Sequence, residues 1–326
     1  MPPTGSPPHI STAQRPRAGD DADPPVPTPA TWLRRPRRRA PGAAAVHPPA
    51  RASGWMPVSP CGPDCVPTRT GPVAAAPVVA ARFCGLVAVL LATLVGVAVL
   101  PGATRARWLC GCYRAVLRCC GVRLRVTGEL GAGGELLAVN HLSWIEVLAV
   151  GSLRPVCPVA KREMGDWPVI GGAARRAGAL FVDRAGLRGL PGTIAATAAA
   201  LRAGADVAVF PEGTTWCGAA AGPFRRAVFQ AAIDAGAPVR PVAAVLRGPD
   251  GRPAPAAAFI GEQTLWDSLL QVLRMPALDC ELTVLPALPP VGDRRELARR
   301  AGEAVAGVTG VPHPGSSRTD RTALAA

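Results

Sequence analysis

The sequence predicts an α/β domain, with a sheet flanked by helices, that follows an N-terminal membrane-associating helical segment. Three observations lead to this prediction. Apolar strand-like runs alternate with Ala-rich helical runs after about residue 121. An uncharged apolar run of 18 residues precedes them, between Phe83 and Leu100. The chain before residue 77 is instead rich in Pro and Arg.

These shifts in composition divide the 326 residues into four regions. Residues 1–77 are expected to be a disordered tail, because they lack the aliphatic runs that would offset the entropy of ordering. Residues 78–120 are expected to form the membrane-associating helices, residues 121–308 the folded domain, and residues 309–326 a second disordered tail. Within the domain, strands are predicted to begin near residues 124, 136, 155, 179, 206, 239 and 280, and helices to span 144–151, 167–177, 190–203, 224–236, 265–273 and 294–306.

The apolar run is long enough to cross a bilayer, since 18 residues at about 1.5 Å each reach about 27 Å. Arginines are concentrated after it, so the positive-inside bias places the folded domain on the cytoplasmic side of the cytoplasmic membrane. The segment that continues to Cys120 is basic and amphipathic. Two helices that dip into one leaflet, with both flanks cytoplasmic, are therefore a second interpretation. A buried core helix is the third.

The charge balance indicates an anionic partner. The net charge is +14, and it is spread along the chain, not confined to the N-terminal tail. Membrane lipid and a phosphorylated substrate both fit this excess. Nucleic acid is not expected as a partner, because aromatic residues make up only 4% of the chain and base-stacking platforms are therefore scarce.

The ten cysteines lack the regular spacing of a disulfide framework, which favours a reducing compartment. Their densest cluster, CGCYRAVLRCC at residues 110–120, has neither zinc-finger spacing nor a nearby His. At helical spacing its cysteines share a face with aliphatic residues, so they are interpreted as small buried side chains. No metal site and no cofactor are predicted.

A single histidine is predicted to carry chemistry. His9, His47 and His313 lie in Pro-rich flanks that are expected to be unstructured, which leaves His141 in the motif VNHLSWIE at residues 139–146. The Ser-x-x-Glu pattern predicts a helix that begins at Ser143, with His141 in the preceding loop.

From that loop the imidazole can fold back onto Glu146, which would fix its tautomer and leave the other ring nitrogen to accept a proton. Backbone N–H groups at the same turn would form an oxyanion site. The alternative is that Glu146 only caps the helix and His141 is an ordinary polar loop residue.

Four blocks occur in order along the domain: Asn140–His141 followed by four residues and an acid, GALFVDR at 178–184, FPEGTT at 210–215, and PVRPVA at 238–243. Over about residues 122–290 the chain thereby resembles the glycerolipid acyltransferase family, typified by bacterial 1-acyl-glycerol-3-phosphate acyltransferases. The resemblance implies transfer of an acyl group from coenzyme A or acyl carrier protein to the hydroxyl of a lysophospholipid, most simply 1-acyl-glycerol-3-phosphate, which would give phosphatidic acid. The acyl donor would be a co-substrate, with no cofactor.

The resemblance also implies residue roles. His141 would be the catalytic base and Glu146 its orienting acid. Arg184 would bind phosphate, while Glu212 and Gly213 would contact the glycerol of the acceptor. The full set of residues expected at the substrate is Asn140, Arg184, Phe210, Pro211, Glu212, Gly213 and Thr214.

Two positions depart from the family pattern. The acid is Glu146 where Asp is usual, and Thr215 stands where Arg is common, so one phosphate ligand is missing. Arg225, Arg226 and Lys161 are candidate substitutes, with a solvated basic face as the alternative. Glycerol-3-phosphate or a lyso-ornithine lipid is thus an alternative acceptor. A non-catalytic membrane adaptor is the alternative of another class.

Overall fold

The structure is a computed structural model that describes residues 57–66, 73–167, 170–176, 178–183 and 187–314. A short 3-10 helix, Pro63–Cys65, lies in the first of these segments. The helices are α1 Ala76–Val99, α2 Gly102–Cys119, α3 Ile145–Leu153, α4 Ile170–Arg176, α5 Leu190–Arg202, α6 Phe229–Ala235, α7 Leu265–Leu273 and α8 Arg294–Thr309. The strands are β1 Val122–Thr127, β2 Leu136–Val139, β3 Val156–Lys161, β4 Leu180–Val182, β5 Asp206–Val209, β6 Val239–Arg247 and β7 Leu278–Val284.

One seven-stranded mixed sheet organises the domain, in the order β1-β7-β6-β2-β5-β3-β4. Every neighbouring pair is parallel except β6 and β7, which run antiparallel. Strand β2 is central, and all four of its residues are buried, as continuous apolar strands of parallel sheets are. The carboxyl ends of β2, β5 and β6 therefore meet at one edge of the sheet.

Helices cover both faces of this sheet. On one face, α2, α3 and α7 pack through Leu117, Ile145 and Leu273. On the other face, α5, α6 and α8 pack through residues such as Phe229 and Leu297. The predicted α/β class, a sheet flanked by helices, is confirmed.

Helices α1 and α2 form an antiparallel hairpin, in which Gly96 lies against Trp108 and Gly85 against Cys119. Helix α1 is the one described helix that is long and apolar enough to cross a membrane, with a mean hydropathy of 2.4 and no buried residue in its most apolar window. The start of the hairpin is tied to the domain, because Arg82 donates hydrogen bonds of 2.8 Å and 2.6 Å to the carbonyls of Leu273 and Met275.

Residues 57–66, here named the N-terminal strap, pack against the domain. Cys61 is buried in a small apolar cluster with Trp216, Cys217, Ala258 and Ile260. The expectation of disorder up to residue 77 is wrong for the strap, because burial of these small side chains supplies contacts that composition does not reveal. Residues 1–56 and 315–326 lie outside the described residues, so disorder there stays a prediction.

Candidate active site

The motif residues meet at the carboxyl edge of the sheet. Asn140 and His141 directly follow β2, and the segment of residues 210–217, here named the acceptor loop, directly follows β5. Since β2 and β5 are parallel neighbours, with Ala138 opposite Val209, their carboxyl ends bring these two segments together. Blocks 70 residues apart in sequence thus form one site.

His141 and Glu146 form the predicted pair. The Nδ1 atom of His141 lies 2.7 Å from Oε1 of Glu146. The Glu146 side chain is fully buried, and 14% of the His141 side chain stays exposed. A buried carboxylate at this distance accepts the Nδ1–H, which fixes the tautomer and leaves Nε2 as a proton acceptor.

Glu146 also performs the alternative role, that of a cap. The same Oε1 accepts 2.7 Å hydrogen bonds from the backbone N–H groups of Leu142 and Ser143. The capping box itself was predicted wrongly, because α3 begins at Ile145 with Trp144 as its N-cap. The Ser143 hydroxyl is buried with no hydrogen-bond partner among the described residues. Glu146 thus contacts the imidazole of His141 and caps the start of the helix through the same oxygen atom, Oε1.

Glu212 of the acceptor loop is buried and binds backbone. Its Oε2 accepts a 2.5 Å hydrogen bond from the N–H of His141, and its Oε1 accepts a 3.0 Å bond from the N–H of Gly222. Burial raises the pKa of Glu212 to about 8, although both N–H donors oppose this shift. The structure therefore shows Glu212 holding the loop of the base, and its predicted contact with the acceptor stays a prediction.

His313 was missed by the sequence analysis. The expectation that it lies in an unstructured flank is wrong, because its ring is 2% exposed and its Nδ1 lies 2.7 Å from the carbonyl of Gly222. Burial lowers the pKa of His313. Local sequence marks it only by the prolines on both sides, Pro312 and Pro314, which favour an extended backbone.

Asn140 and Phe210 take structural positions around the base. Asn140 joins β2 to β6, since its amide donates to the carbonyl of Ala244 at 3.0 Å and accepts from the N–H of the same residue at 2.7 Å. These two bonds give Asn140 a structural role, and its predicted contact with the substrate stays a prediction. The ring of Phe210 lies 4.4 Å from that of His141, centroid to centroid, and fixes its orientation by packing.

The turn of the acceptor loop requires glycine. Gly213 has φ +78°, and its N–H bonds to the carbonyl of Phe210 at 3.0 Å. Beyond it, Thr215 donates its hydroxyl to the carbonyl of Phe259. Trp216 then donates its N–H to the carbonyl of His141 at 2.8 Å. Thr214 is half-buried between these anchors. The position at which relatives commonly carry an Arg is thus occupied here by a hydroxyl that holds the loop.

A cavity of about 690 Å³ opens beside the base. Phe210, Pro211 and Gly213 form part of its lining, whereas His141 is not a lining residue and packs against the ring of Phe210. Its other walls come from α5, α8 and the strap. The arginines of the lining are Arg225, Arg226, Arg295 and Arg299, and the described acid among the lining residues is Asp183. Arg295 and Arg299 were not predicted, because they lie on α8, far along the chain from every motif.

Arg184 and its neighbours 185 and 186 lie outside the described residues, so its predicted phosphate contact stays a prediction. Asp183, which precedes it, lines the cavity and lies 4.0 Å from Nη1 of Arg162. Arg225 and Arg226 line the cavity and are exposed, so their role as substitute phosphate ligands stays a prediction beside the alternative of a solvated basic face. Nothing is described of the Lys161 side chain.

The predicted oxyanion donors at the β2–α3 turn are already used. The N–H of His141 bonds to Glu212, and those of Leu142 and Ser143 bond to Glu146. These three groups therefore hold the two carboxyls and do not face a substrate. What the geometry provides is a histidine paired with a buried acid, next to a cavity lined by arginines, on the carboxyl edge of an α/β sheet. That combination is typical of an enzyme that uses a histidine as a general base.

Comparison with known proteins narrows this class. Residues 123–245 match the model of the acyltransferase family. The lyso-ornithine lipid O-acyltransferase of Pseudomonas aeruginosa is 35% identical over 236 residues, which cover 69% of this chain and 90% of that protein. The 1-acyl-sn-glycerol-3-phosphate acyltransferase of Neisseria gonorrhoeae is 40% identical over 110 residues, which cover 34% of this chain and 43% of that protein.

A solved structure has the same fold. The 1-acyl-sn-glycerophosphate acyltransferase of Thermotoga maritima superposes with a TM-score of 0.56 at 14% identity, and the match covers 72% of this chain and 93% of that one. The chain belongs to the acyltransferase family, as the motifs predicted, and it is an O-acyltransferase.

Proposed function

We propose that this enzyme transfers an acyl group from a thioester of coenzyme A or acyl carrier protein to the free hydroxyl of a lysolipid. The acceptor we favour is 1-acyl-glycerol-3-phosphate, with phosphatidic acid as the product. The observation that carries this proposal is the His141–Glu146 pair, at 2.7 Å, beside a cavity with an arginine wall.

The chemistry follows from the tautomer of His141. Nδ1–H is held by Glu146, so Nε2 accepts the proton of the acceptor hydroxyl while its oxygen attacks the thioester carbonyl. The carbon–sulfur bond then breaks, and the proton on Nε2 passes to the leaving thiolate. His141 ends neutral, and no acyl group is ever attached to the protein. Glu146 stabilises the transient imidazolium through its buried charge.

The cavity suits an anionic headgroup. Arg225 and Arg226 approach from the segment after the acceptor loop, and Arg295 approaches from α8. A phosphomonoester carries up to two negative charges, and guanidinium groups bind it through paired hydrogen bonds. The ring of Phe210 lines this cavity and packs on His141. A headgroup bound in the cavity would therefore bring the glycerol hydroxyl towards His141.

A second acceptor, lyso-ornithine lipid, is favoured by a different observation. The relative from Pseudomonas aeruginosa, which is matched over 90% of its length, is named for that acceptor. In addition, Thr215 holds the loop where a further phosphate-binding Arg is common in the family. Ornithine carries a carboxylate that arginines would also bind, together with an ammonium that Asp183 at the cavity would favour.

We further propose that the α1–α2 hairpin enters one leaflet and that the catalytic domain lies on the cytoplasmic side. Both ends of the hairpin are held at the domain, since the N–H of Ala74 bonds to the carbonyl of Arg274 at 2.9 Å and α2 leads directly into β1. The strap, which precedes α1, also packs on the domain. These contacts support the dipping arrangement over a spanning one, in which residues before α1 would lie across the membrane.

The test is an acyl-transfer assay with the full chain in detergent. The donor would be radiolabelled acyl-CoA or radiolabelled acyl-acyl carrier protein. The acceptor would be 1-acyl-glycerol-3-phosphate, glycerol-3-phosphate or lyso-ornithine lipid. We expect the highest kcat/KM with 1-acyl-glycerol-3-phosphate, and a loss of about 10²–10⁴-fold in the His141→Ala variant. A preference for lyso-ornithine lipid would assign the second acceptor. Membrane binding without transfer to any acceptor would support the adaptor and reject the enzyme mechanism.

A further inference from the structure

Three cysteines from distant parts of the chain converge beside the acceptor loop. Cys61 and Cys65 belong to the strap, and Cys217 ends the acceptor loop. Their three Sγ atoms all lie within 4.8 Å of one another. Cys61 is 5% exposed and Cys217 6%, and Cys65 is half-buried. Nothing in the proposed acyl transfer uses these thiols.

The strap is shaped to present two of them. Cys61 and Cys65 are separated by a turn in which the N–H of Cys65 bonds to the carbonyl of Gly62 at 3.0 Å. The short 3-10 helix Pro63–Cys65 continues this turn, so both sulfurs point to the same side of the strap. A pair of cysteines in a tight turn, completed by cysteine from another segment, is the way in which structural zinc sites are commonly assembled.

The geometry fits zinc. Zinc binds thiolates at about 2.3 Å in a tetrahedron, which separates its sulfurs by about 3.8 Å. The observed limit of 4.8 Å means that the sulfurs would need to approach by no more than about 1 Å. Three soft sulfur ligands with no carboxylate among them select zinc over magnesium or calcium.

Backbone N–H groups already surround the sulfurs. The N–H of Cys217 donates to Sγ of Cys61 at 3.4 Å. The backbone N–H groups of Ala219 and Ala220 also donate to the Cys217 thiol. N–H donors of this kind offset the negative charge of metal-bound thiolates.

We propose that Cys61, Cys65 and Cys217 bind one zinc ion that fastens the strap to the acceptor loop. On binding, the three thiols release three protons to solvent, and Zn²⁺ with three thiolates leaves one net negative charge. Three protein ligands leave the fourth position of the tetrahedron to a water molecule. No electron is transferred, and the site takes no part in the acyl-transfer step.

The site has a consequence for the cavity. Pro57, at the start of the strap, lines the cavity, and it lies so close to Gly213 that an added Cβ there would be 2.5 Å from its Cγ. Trp216, next to Cys217, is bonded to the carbonyl of His141. Zinc would therefore hold one wall of the cavity against the loop that carries the base.

The first test is metal content. The full chain would be expressed with zinc, purified under reducing conditions in detergent, and measured by inductively coupled plasma mass spectrometry. We expect one zinc per chain in the wild type and in Cys84→Ser, whose thiol is exposed on α1 away from the cluster. We expect zinc to be lost from Cys61→Ser and from Cys217→Ser.

The second test uses the wild type alone, so that it does not depend on how the variants fold. Zinc would be removed with a chelator and restored, and the thiols alkylated in each state and mapped by mass spectrometry. We expect zinc to protect Cys61, Cys65 and Cys217, with Cys84 alkylated equally in both states. Protein reconstituted with cobalt in place of zinc should show thiolate-to-cobalt charge-transfer absorption.

Three results would overturn the proposal: reduced wild type that takes up no zinc, equal alkylation of the three thiols with and without zinc, or a disulfide between two of them in protein prepared without reductant. Because none of these readouts is catalytic turnover, failure of the zinc site and failure of the proposed acyl transfer are distinguishable.

Discussion

Replacement of Glu146 by Gln would isolate what its charge contributes to acyl transfer. One carboxylate oxygen, Oε1, contacts Nδ1 of His141 and the N–H groups of Leu142 and Ser143, all at 2.7 Å. A glutamine has the same shape and keeps one oxygen acceptor, so the two backbone bonds and the start of α3 are preserved. What disappears is the negative charge that stabilises the imidazolium while the acceptor hydroxyl is deprotonated.

The size of the effect follows from the kind of hydrogen bond that is lost. A bond to a charged group contributes about 1.5–3 kcal/mol, against about 1 kcal/mol for a neutral one. The difference, about 0.5–2 kcal/mol, applies to a bond that strengthens as His141 gains its proton, and burial of Glu146 places it at the upper end. At about 1.4 kcal/mol for each factor of ten, kcat is expected to fall about 10- to 30-fold, with KM for the acceptor little changed.

The assay is steady-state transfer from labelled acyl-CoA to 1-acyl-glycerol-3-phosphate in detergent, with kcat and the KM for the acceptor determined separately. Loss of the charge should lower kcat and leave KM little changed, because the charge acts only while His141 holds the proton. Glu262→Gln is the matched control, because Glu262 is exposed on the surface. A kcat within about threefold of the wild type would refute the orienting role.

Three further predictions concern the base, the buried acid and the cavity. His141→Ala should lower kcat by about 10²–10⁴-fold with an unchanged circular dichroism spectrum, and a smaller loss would exclude His141 as the base. Glu212 has a pKa raised to about 8 in the folded state against an ordinary value of 4.5, so the folded protein keeps a proton that the unfolded chain loses. The free energy of unfolding should therefore decrease as the pH rises from about 4.5 to about 8, by at most about 1.4 kcal/mol per pH unit. Urea unfolding measured over this pH range checks the decrease, and Glu212→Gln should remove it. Arg184→Ala and Arg226→Ala should each raise the acceptor KM about tenfold with little change in kcat; an effect on kcat alone would reject a headgroup role.

Sequence patterns succeeded where the determining contacts are local. The alternation of strands and helices predicted the layered sheet, and α7 was predicted with its observed bounds, 265–273. The pairing of His141 with Glu146 was predicted correctly because a loop and one helical turn suffice to form it. The start of α3 was displaced by two residues: Glu146 accepts the N–H of Ser143 as a capping box requires, but the Ser143 hydroxyl makes no reciprocal bond among the described residues.

Features that depend on distant parts of the chain could not be predicted in this way. The composition of the strap does not show that Cys61 packs with Cys217. The residues around His313 likewise do not show that its ring contacts the carbonyl of Gly222. Each contact joins segments that are brought together only by the completed sheet. Glu146 and Glu212 bind the N–H groups of the β2–α3 turn, which the sequence could not show. A motif specifies which residues are present and not which of their atoms are already bonded.

The proposed entry of the α1–α2 hairpin into one leaflet would determine where lipid enters and leaves. With Ala74 and β1 held at the same body, the exposed apolar side chains of α1 would then enter the bilayer from the face on which catalysis occurs. An acceptor would then be drawn from the near monolayer, and the doubly acylated product would return to that monolayer. Newly made lipid would therefore accumulate asymmetrically, and its appearance in the opposite monolayer would require separate translocation.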